Sequence, residues 1–363
     1  MTAAPKRVLI HRLGSLGDTL ITLPVFHLLN RLWPDAEKRV LTNFPVQSKA
    51  PPLQTVLGDE TFAQGYFAYP LGTRDPRALW SLVREIRRWG PDVAVYANRC
   101  RSLGVTLRDR AFLRLCCSGP IHGLPLSAAA RINLYDPETG LFEREAARIA
   151  RTLRPLGDAR LDDPANRSLD ITAAERQRAG ATIENWPGAA RFMAFCTGTK
   201  WPENDWSDAR WSALLADLTV RHSDLGLMAI GAAEDRDRSD RLMQIWRGPS
   251  LNLCGATTPR TGAALLARAV CFVGNDSGPM HLAAAAGIPA VAVFSRKNPP
   301  GVWFPLGDEH RVFYPELGWS GGRPPVTRRA AGETGLESIP VDQVADACAA
   351  FADRTNEKGS SNA

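Results

Sequence analysis

Short, continuous apolar runs alternate along this chain with longer amphipathic stretches, and the alternation occurs twice. In the first half, apolar runs at Arg7–His11, Arg39–Asn43, Asp92–Ala97 and Ile121–Gly123 read as strands. Helical periodicity fills the intervals at Leu20–Trp33, Arg77–Trp89 and Ser102–Leu115, and a charged helix, Glu138–Leu153, follows. Runs that are apolar throughout suit a parallel sheet covered on both faces. The segment Arg154–Asp170, with its prolines, glycine and many charges, reads as a linker. The pattern then restarts. Strands are predicted at Phe192–Cys196, Gly226–Ile230, Leu251–Cys254, Cys271–Val273 and Ala290–Phe294, with helices at Trp206–Arg221, Glu234–Trp246 and Arg260–Ala269. Each half is therefore expected to be a doubly wound α/β domain that binds ligands at the carboxyl ends of its strands. The boundaries read as 1–165 and 166–340. A closing helix over 341–354, for which a return to the N-terminal domain is one course, precedes a polar tail, 355–363, expected to be disordered. Two such domains facing each other enclose a cleft, the expected place for a site.

The most specific stretch is Gly274-Asn-Asp-Ser-Gly-Pro-Met-His281, running into Leu282-Ala-Ala-Ala-Ala-Gly287 between two apolar runs. It predicts a strand, a tight polar turn and an alanine-rich helix. Asp276 or Ser277 can cap that helix, Pro279 suits its first turn, and Gly278 admits a ligand close to the backbone. Free backbone N–H groups and the positive end of a helix dipole then point at one spot, which suits a phosphate. His281, in the first turn, can add a hydrogen bond to the same anion.

Three further motifs follow strands. Arg12-Leu-Gly-Ser-Leu-Gly-Asp18 comes directly after the first strand. Gly14 and Gly17 let the backbone turn sharply, with Ser15 between them, and Asp18 is presented at a strand's carboxyl end. A dinucleotide loop would need a third glycine and an acidic end to the next strand, where Thr42-Asn43 stands instead. Asp18 reads either as a helix cap or as a carboxylate held ionised by Arg12 that takes a proton from a substrate hydroxyl. Cys196-Thr-Gly-Thr-Lys200 offers hydroxyls from Thr197 and Thr199 and charge from Lys200 to diphosphate oxygens, with a solvated loop the plain alternative. Glu234, in Gly231-Ala-Ala-Glu234, suits ribose hydroxyls or simply a helix start. The neighbouring Asp235-Arg-Asp237 has the form of a metal-binding pair but reads as a charged, solvated helix face.

Composition narrows the classes. The chain has 363 residues, 44% hydrophobic and 23% charged, as in ordinary globular proteins. No apolar run approaches the roughly 20 residues of a membrane span, and no signal-peptide pattern is visible, so a cytoplasmic location is expected. Seven cysteines without CxxC pairs fit reduced thiols, with Cys116-Cys117 and Cys271 read as core residues. The six histidines show no metal-ligand spacing, and no nucleophile elbow is present. The net charge of +6 reads either as the Arg-rich composition of a GC-rich genome or as attraction to an anionic substrate or an anionic membrane face, with Arg84, Arg87 and Arg88 aligned near Trp80 and Trp89. No nucleic-acid recognition motif accompanies the charge.

Together, Arg12–Asp18, Lys200-Trp-Pro202 and Asn275–Gly287 resemble the lipopolysaccharide heptosyltransferases, glycosyltransferase family 9, over most of the chain. The resemblance implies a GT-B fold, two Rossmann-like domains facing across a cleft. It also implies an ADP-heptose donor, an inverting mechanism, no metal or other cofactor, and a hydroxyl of lipopolysaccharide core or another surface glycan as acceptor. By the same resemblance Asp18 is the general base, with Arg12, Gly14, Ser15 and Gly17 as its acceptor-side loop. Lys200, with Thr197 and Thr199, holds donor phosphates; Glu234 meets the nucleotide; Asp276, Ser277, Gly278 and His281 grip the diphosphate and sugar. A basic protein at the cytoplasmic face of the inner membrane, in peripheral contact with it, fits this role. The chain departs from many relatives at Ser295–Trp303 and Leu317–Pro325, near the expected donor site, which leaves the donor sugar open. A different donor or a protein or small-molecule acceptor, a sugar-nucleotide epimerase, and a non-catalytic binding protein are the alternatives.

Overall fold

The computed structural model describes residues 4–44, 51–58, 60–70, 72, 75–99, 102–315 and 335–360. The chain divides into two units, Met1–Asp136 with Phe142–Arg167, and Pro137–Leu141 with Ser168–Ala363. In the first, strands β1 (Arg7–His11), β2 (Glu37–Phe44), β3 (Gly65–Pro70), β4 (Val93–Tyr96) and β5 (Ile121–His122) form one parallel sheet in the order β3-β2-β1-β4-β5. Helices α1 (Leu16–Leu20), α2 (Leu23–Leu32), α3 (Leu53–Leu57), α4 (Pro76–Trp89) and α5 (Leu103–Cys116) make the crossovers. Short α6 (Ala128–Arg131), a hairpin of β6 (Tyr135–Asp136) and β7 (Leu141–Phe142), and α7 (Glu145–Thr152) follow.

The second unit begins with α8 (Ala173–Thr182). Its strands β8 (Phe192–Cys196), β9 (Gly226–Ala229), β10 (Ser250–Asn252), β11 (Phe272–Asn275), β12 (Ala290–Val293) and β13 (Arg311–Phe313) are again all parallel, in the order β10-β9-β8-β11-β12-β13. Helices α9 (Asp208–Arg221), α10 (Arg236–Met243), α11 (Pro259–Leu266), α12 (Gly278–Ala285) and α13 (Val341–Ser360) cover the sheet. Counted from its own first strand, this sheet has the 3-2-1-4-5-6 order of dinucleotide-binding folds. Strand order reverses between β1 and β4 in one unit and between β8 and β11 in the other. Crossovers leave those pairs in opposite directions, so each opens a crevice at its carboxyl end.

The structure departs from the sequence pattern where a local rule was overridden. The expected helix Leu20–Trp33 breaks into α1 and α2, because Pro24 has no N–H to continue the ladder. The expected helix Glu138–Leu153 begins only at Glu145; Gly140 turns at φ +70°, outside helical space, and closes the hairpin instead. Edge strands β3 and β13 escape the apolar-run criterion, because half-exposed edge strands carry mixed residues. After the linker, α8 carries a readable start signal: Thr172 caps Glu175 N–H, and the Glu175 carboxylate reaches back to Thr172 N–H. The final helix packs in the second unit, where Val344, Cys348 and Phe351 join a core shared with Trp211 and Leu218 of α9. It also continues to Ser360 through the stretch expected to be disordered, carried by good helix formers such as Ala352, Arg354, Glu357 and Lys358. Among the described residues no helix is long and apolar enough to cross a membrane.

Candidate functional site

At the first switch point, the loop after β1 is held by side chains from the neighbouring strand ends. Asn98, just beyond β4, accepts from Leu13 N–H at 2.6 Å, and Asn43 of β2 accepts from Gly14 N–H at 2.7 Å. The Asn98 amide lies 3.0 Å from His11 Nδ1. Burial pushes the His11 imidazole down to about 4, against a smaller pull from Asp109, so it is neutral. Its Nδ1 then accepts from the Asn98 amide and its Nε2 carries the proton.

Asp18 sits in the first turn of α1. Its Oδ2 accepts from Ser15 N–H and from Ser15 Oγ, each at 2.8 Å. Arg12, 1% exposed, donates through Nη1 to Ala97 O and through Nη2 to Asp18 O, and the same Nη2 lies 3.7 Å from Asp18 Oδ1. Burial alone would raise the Asp18 pKa; Arg12, the Ser15 hydrogen bonds and Arg99 outweigh it and bring the carboxyl below its usual range. Both readings of Asp18 therefore hold in part: one oxygen secures the helix start, and the group remains ionised at neutral pH with its second oxygen facing Arg12. Gly14 makes this possible. Its φ is +147°, and a Cβ there would lie 2.5 Å from Asp18 Cβ. Behind the loop, the buried pair Arg148–Glu145 at 2.7 Å ties α7 to the strand end, with Arg148 Nη2 donating to Asn98 O at 3.2 Å.

At the second switch point, Ser277 is the N-cap residue of α12, extended at φ −154° and ψ 169°. Its side chain makes no cap hydrogen bond, and its Oγ is buried without a partner. The first N–H groups of α12 are thus uncapped by side chain, in a place where the helix dipole favours an anion. On the adjacent strand, Thr197 Oγ1 is likewise buried and unpartnered, while its carbonyl accepts from Asn275 Nδ2 at 2.9 Å. Asp276 Oδ2 accepts from Asn204 Nδ2 at 3.1 Å and Asn298 Nδ2 at 3.5 Å. Burial dominates these contacts and a distant Lys297 charge, and pushes the carboxyl up to about 7. His281 is buried, its ring edge-on to Trp303 at 6.3 Å between centroids.

Thr197, Asp276, Ser277, Gly278 and His281 are thus assembled at one sheet edge, and Arg12, Gly14, Ser15, Gly17 and Asp18 at another. Lys200 and Glu234 are exposed and carry no hydrogen bond or ion pair among the described residues; Thr199 bonds locally to Trp201. Lys297 is the cation that covers Trp201, with Nζ 3.6 Å from the ring centroid, against 5.4 Å for Lys200. Asp235, expected on a solvated face, instead presses on the β8 turn: a Cβ on Gly198 would meet its Oδ2 at 2.1 Å. Asp237 is exposed, as the charge pattern indicated. Asn204 was missed, although it follows Trp201-Pro-Glu directly; Ser295 Oγ donates to its Oδ1 at 2.6 Å, so the divergent Ser295–Trp303 stretch supports Asp276 through Asn204 and Asn298. The divergent Leu317–Pro325 stretch lies outside the described residues. A cavity of about 270 Å³ in the first unit lies elsewhere, between α5, β5 and the end of α7, with Arg110, Arg114, His122 and Leu153 in its wall. Among the described residues no three His, Cys, Asp or Glu side chains group as a metal site.

Two parallel sheets of Rossmann order, each with a polar loop at its reversal point, place the protein in the GT-B class of α/β proteins. A crystal structure of a glycosyl transferase family 9 protein from Veillonella parvula shares the fold at TM-score 0.74 and 18% identity, covering 98% of this chain and 99% of that one. E. coli heptosyltransferase WaaC, solved with ADP-2-deoxy-2-fluoro heptose, matches at TM-score 0.60 and 17% identity over 96% and 99%. In sequence, lipopolysaccharide heptosyltransferase 1 of Pseudomonas aeruginosa is 29% identical over 185 residues, 48% of this chain and 49% of that protein. The chain spans about half the length of the curated relatives it matches. Residues 147–318 match glycosyltransferase family 9 (heptosyltransferase).

Proposed function

We propose that this protein transfers heptose from ADP-heptose to a hydroxyl of a lipopolysaccharide core, with inversion at the anomeric carbon and without a metal. The observation that carries the reading is the second switch point. Two buried hydroxyls, Ser277 Oγ and Thr197 Oγ1, lack partners beside the uncapped N-terminus of α12. Buried hydroxyls are rarely left unpaired, and here a diphosphate supplies the missing acceptors. In the reaction, the acceptor hydroxyl, bound mainly by the first unit, attacks the anomeric carbon and Asp18 takes its proton. The bond from that carbon to the diphosphate oxygen breaks, and ADP leaves. Charge growing on the leaving phosphates is stabilised by the α12 N-terminus and by the two hydroxyls, with Lys200 and Lys297 as nearby cations and Glu234 toward the nucleoside. The family match, and the heptose analogue in the WaaC structure, support the donor. A glycolipid acceptor places the protein in the cytoplasm, at the membrane face.

The test separates donor from acceptor. Thermal shift against ADP-, GDP- and UDP-sugars should show stabilisation by ADP-heptose, and release of ADP should require a heptose-deficient core acceptor. Absence of stabilisation by any ADP-sugar would rule the donor assignment out.

A further inference from the structure

We infer that the outer faces of α4 and α5 form the surface by which this protein docks on an anionic lipid bilayer. The inference rests on the glycolipid reading above and identifies the face that meets the membrane. Both helices lie on the same side of the first sheet: Leu82, Ile86 and Trp89 of α4 and Leu113 and Cys116 of α5 share one core cluster. Helical periodicity then turns Arg77, Trp80, Arg84, Arg87 and Arg88 outward from α4. The same geometry turns Leu107, Arg108, Arg114 and Leu115 outward from α5.

Three observations converge on a bilayer. The first is apolar exposure: Trp80 is 47% exposed, Leu107 46% and Leu115 47%. The second is charge. The two helices carry seven arginines against Glu85 and Asp109, and Asp109 is already paired with Arg108 at 2.8 Å. The third is that Arg77, Arg84, Arg87 and Arg88 make no side-chain hydrogen bond or ion pair among the described residues, so the fold does not use their charge. A tryptophan and leucines interleaved with arginines is the pattern of interfacial surfaces, with rings at headgroup depth and guanidinium groups on lipid phosphates. A nucleic acid would engage the arginines but has no use for Leu107 and Leu115.

The probe is cosedimentation of the full chain with vesicles of phosphatidylcholine alone and with equal parts phosphatidylglycerol. Binding is expected only to the anionic vesicles, and should weaken at high potassium chloride. Each arginine near such a surface contributes roughly fivefold, so R84E/R87E/R88E should weaken binding by about a hundredfold or more. W80A should weaken it severalfold, whereas R178E on exposed α8 should leave it unchanged. All five positions are exposed, and matching melting curves of the variants would exclude misfolding. The inference is overturned by any of three results: wild type ignoring anionic vesicles, R84E/R87E/R88E binding as wild type, or R178E weakening binding as much as the triple variant. It is also overturned if duplex DNA binds as tightly as vesicles and W80A changes nothing. Stabilisation by ADP-heptose and turnover with a deacylated, water-soluble acceptor should survive in R84E/R87E/R88E. Their loss in wild type would sink the transferase reading and leave the vesicle result standing.

Discussion

Asp276 offers the sharpest test of the second switch point, through Asp276→Asn. Its carboxyl is pushed from 3.8 to about 7 because burial outweighs the amide donors Asn204 and Asn298. A pKa raised by folding means that the native state holds a proton which the unfolded chain has released. Stability therefore falls as pH rises from the unfolded value near 4 through about 7, then levels. Roughly three units at about 1.4 kcal/mol each set a ceiling of ~4 kcal/mol on this penalty. The turn retains some solvent access, so about half of that is the reasonable expectation. Asparagine matches the protonated acid in shape and can still accept from Asn204. The variant should melt like wild type at pH 4, and higher by ~4–8 °C at pH 8, given about 2–4 °C per kcal/mol for a unit of this size. An equal difference at both pH values would refute the argument, because it would show packing rather than protonation. The same titration bears on ligand binding. A neutral acid beside the α12 N-terminus can donate to a phosphate, whereas its carboxylate repels one. ADP affinity should decline above pH 7 in wild type and stay flat in the variant, as read by calorimetry.

Other consequences are more direct. Asp18→Asn should lower turnover by at least about 100-fold while ADP still stabilises the protein; near-normal turnover would remove Asp18 as the base. Gly14→Ala forces a strained φ and a contact with Asp18, so it should cost on the order of 1–3 kcal/mol in denaturant titration and lower turnover as well. Arg148→Ala leaves Glu145 buried without its cation, and chemical denaturation should report a loss of about 3–5 kcal/mol.

How much of this was legible beforehand depended on how local the cause was. The β11–α12 turn could be read from residues alone, because strand, cap, proline and glycine stand consecutively from Phe272 to Gly287. The parallel sheets followed from strands such as Phe192–Cys196, buried along their whole length. The supports were not legible. Asn43 and Asn98 act on the loop at Leu13 and Gly14 only because β2 and β4 flank β1, a relation made by topology. Asp235 escaped for a similar reason. Its charged neighbours in sequence describe a solvated helix, while its carboxylate is tucked under Gly198 of another loop. The pattern of Lys200 before Trp201 suggested one cation, and the fold adds Lys297 from nearly a hundred residues on.

The same fold, used twice, holds a carboxylate at each reversal of strand order and treats the two in opposite ways. At Asp18 a buried arginine lies 3.7 Å away and two hydrogen bonds converge on one oxygen, so the charged form is favoured. At Asp276 the neighbours are two neutral amides, Lys297 is turned toward Glu203 at 3.1 Å, and burial favours the protonated form. Environments that drive pKa values apart suit two carboxylates to different tasks. An ionised Asp18 suits the removal of a proton from a hydroxyl. A protonated Asp276 suits a place where a diphosphate's charge must be received, and a second negative charge there would work against the helix dipole. The Gly274–His281 motif therefore does more than start a helix. Its acid is drawn toward the neutral form by burial, while Asn204 and Asn298 of the divergent Ser295–Trp303 stretch pull the other way and keep its titration near 7.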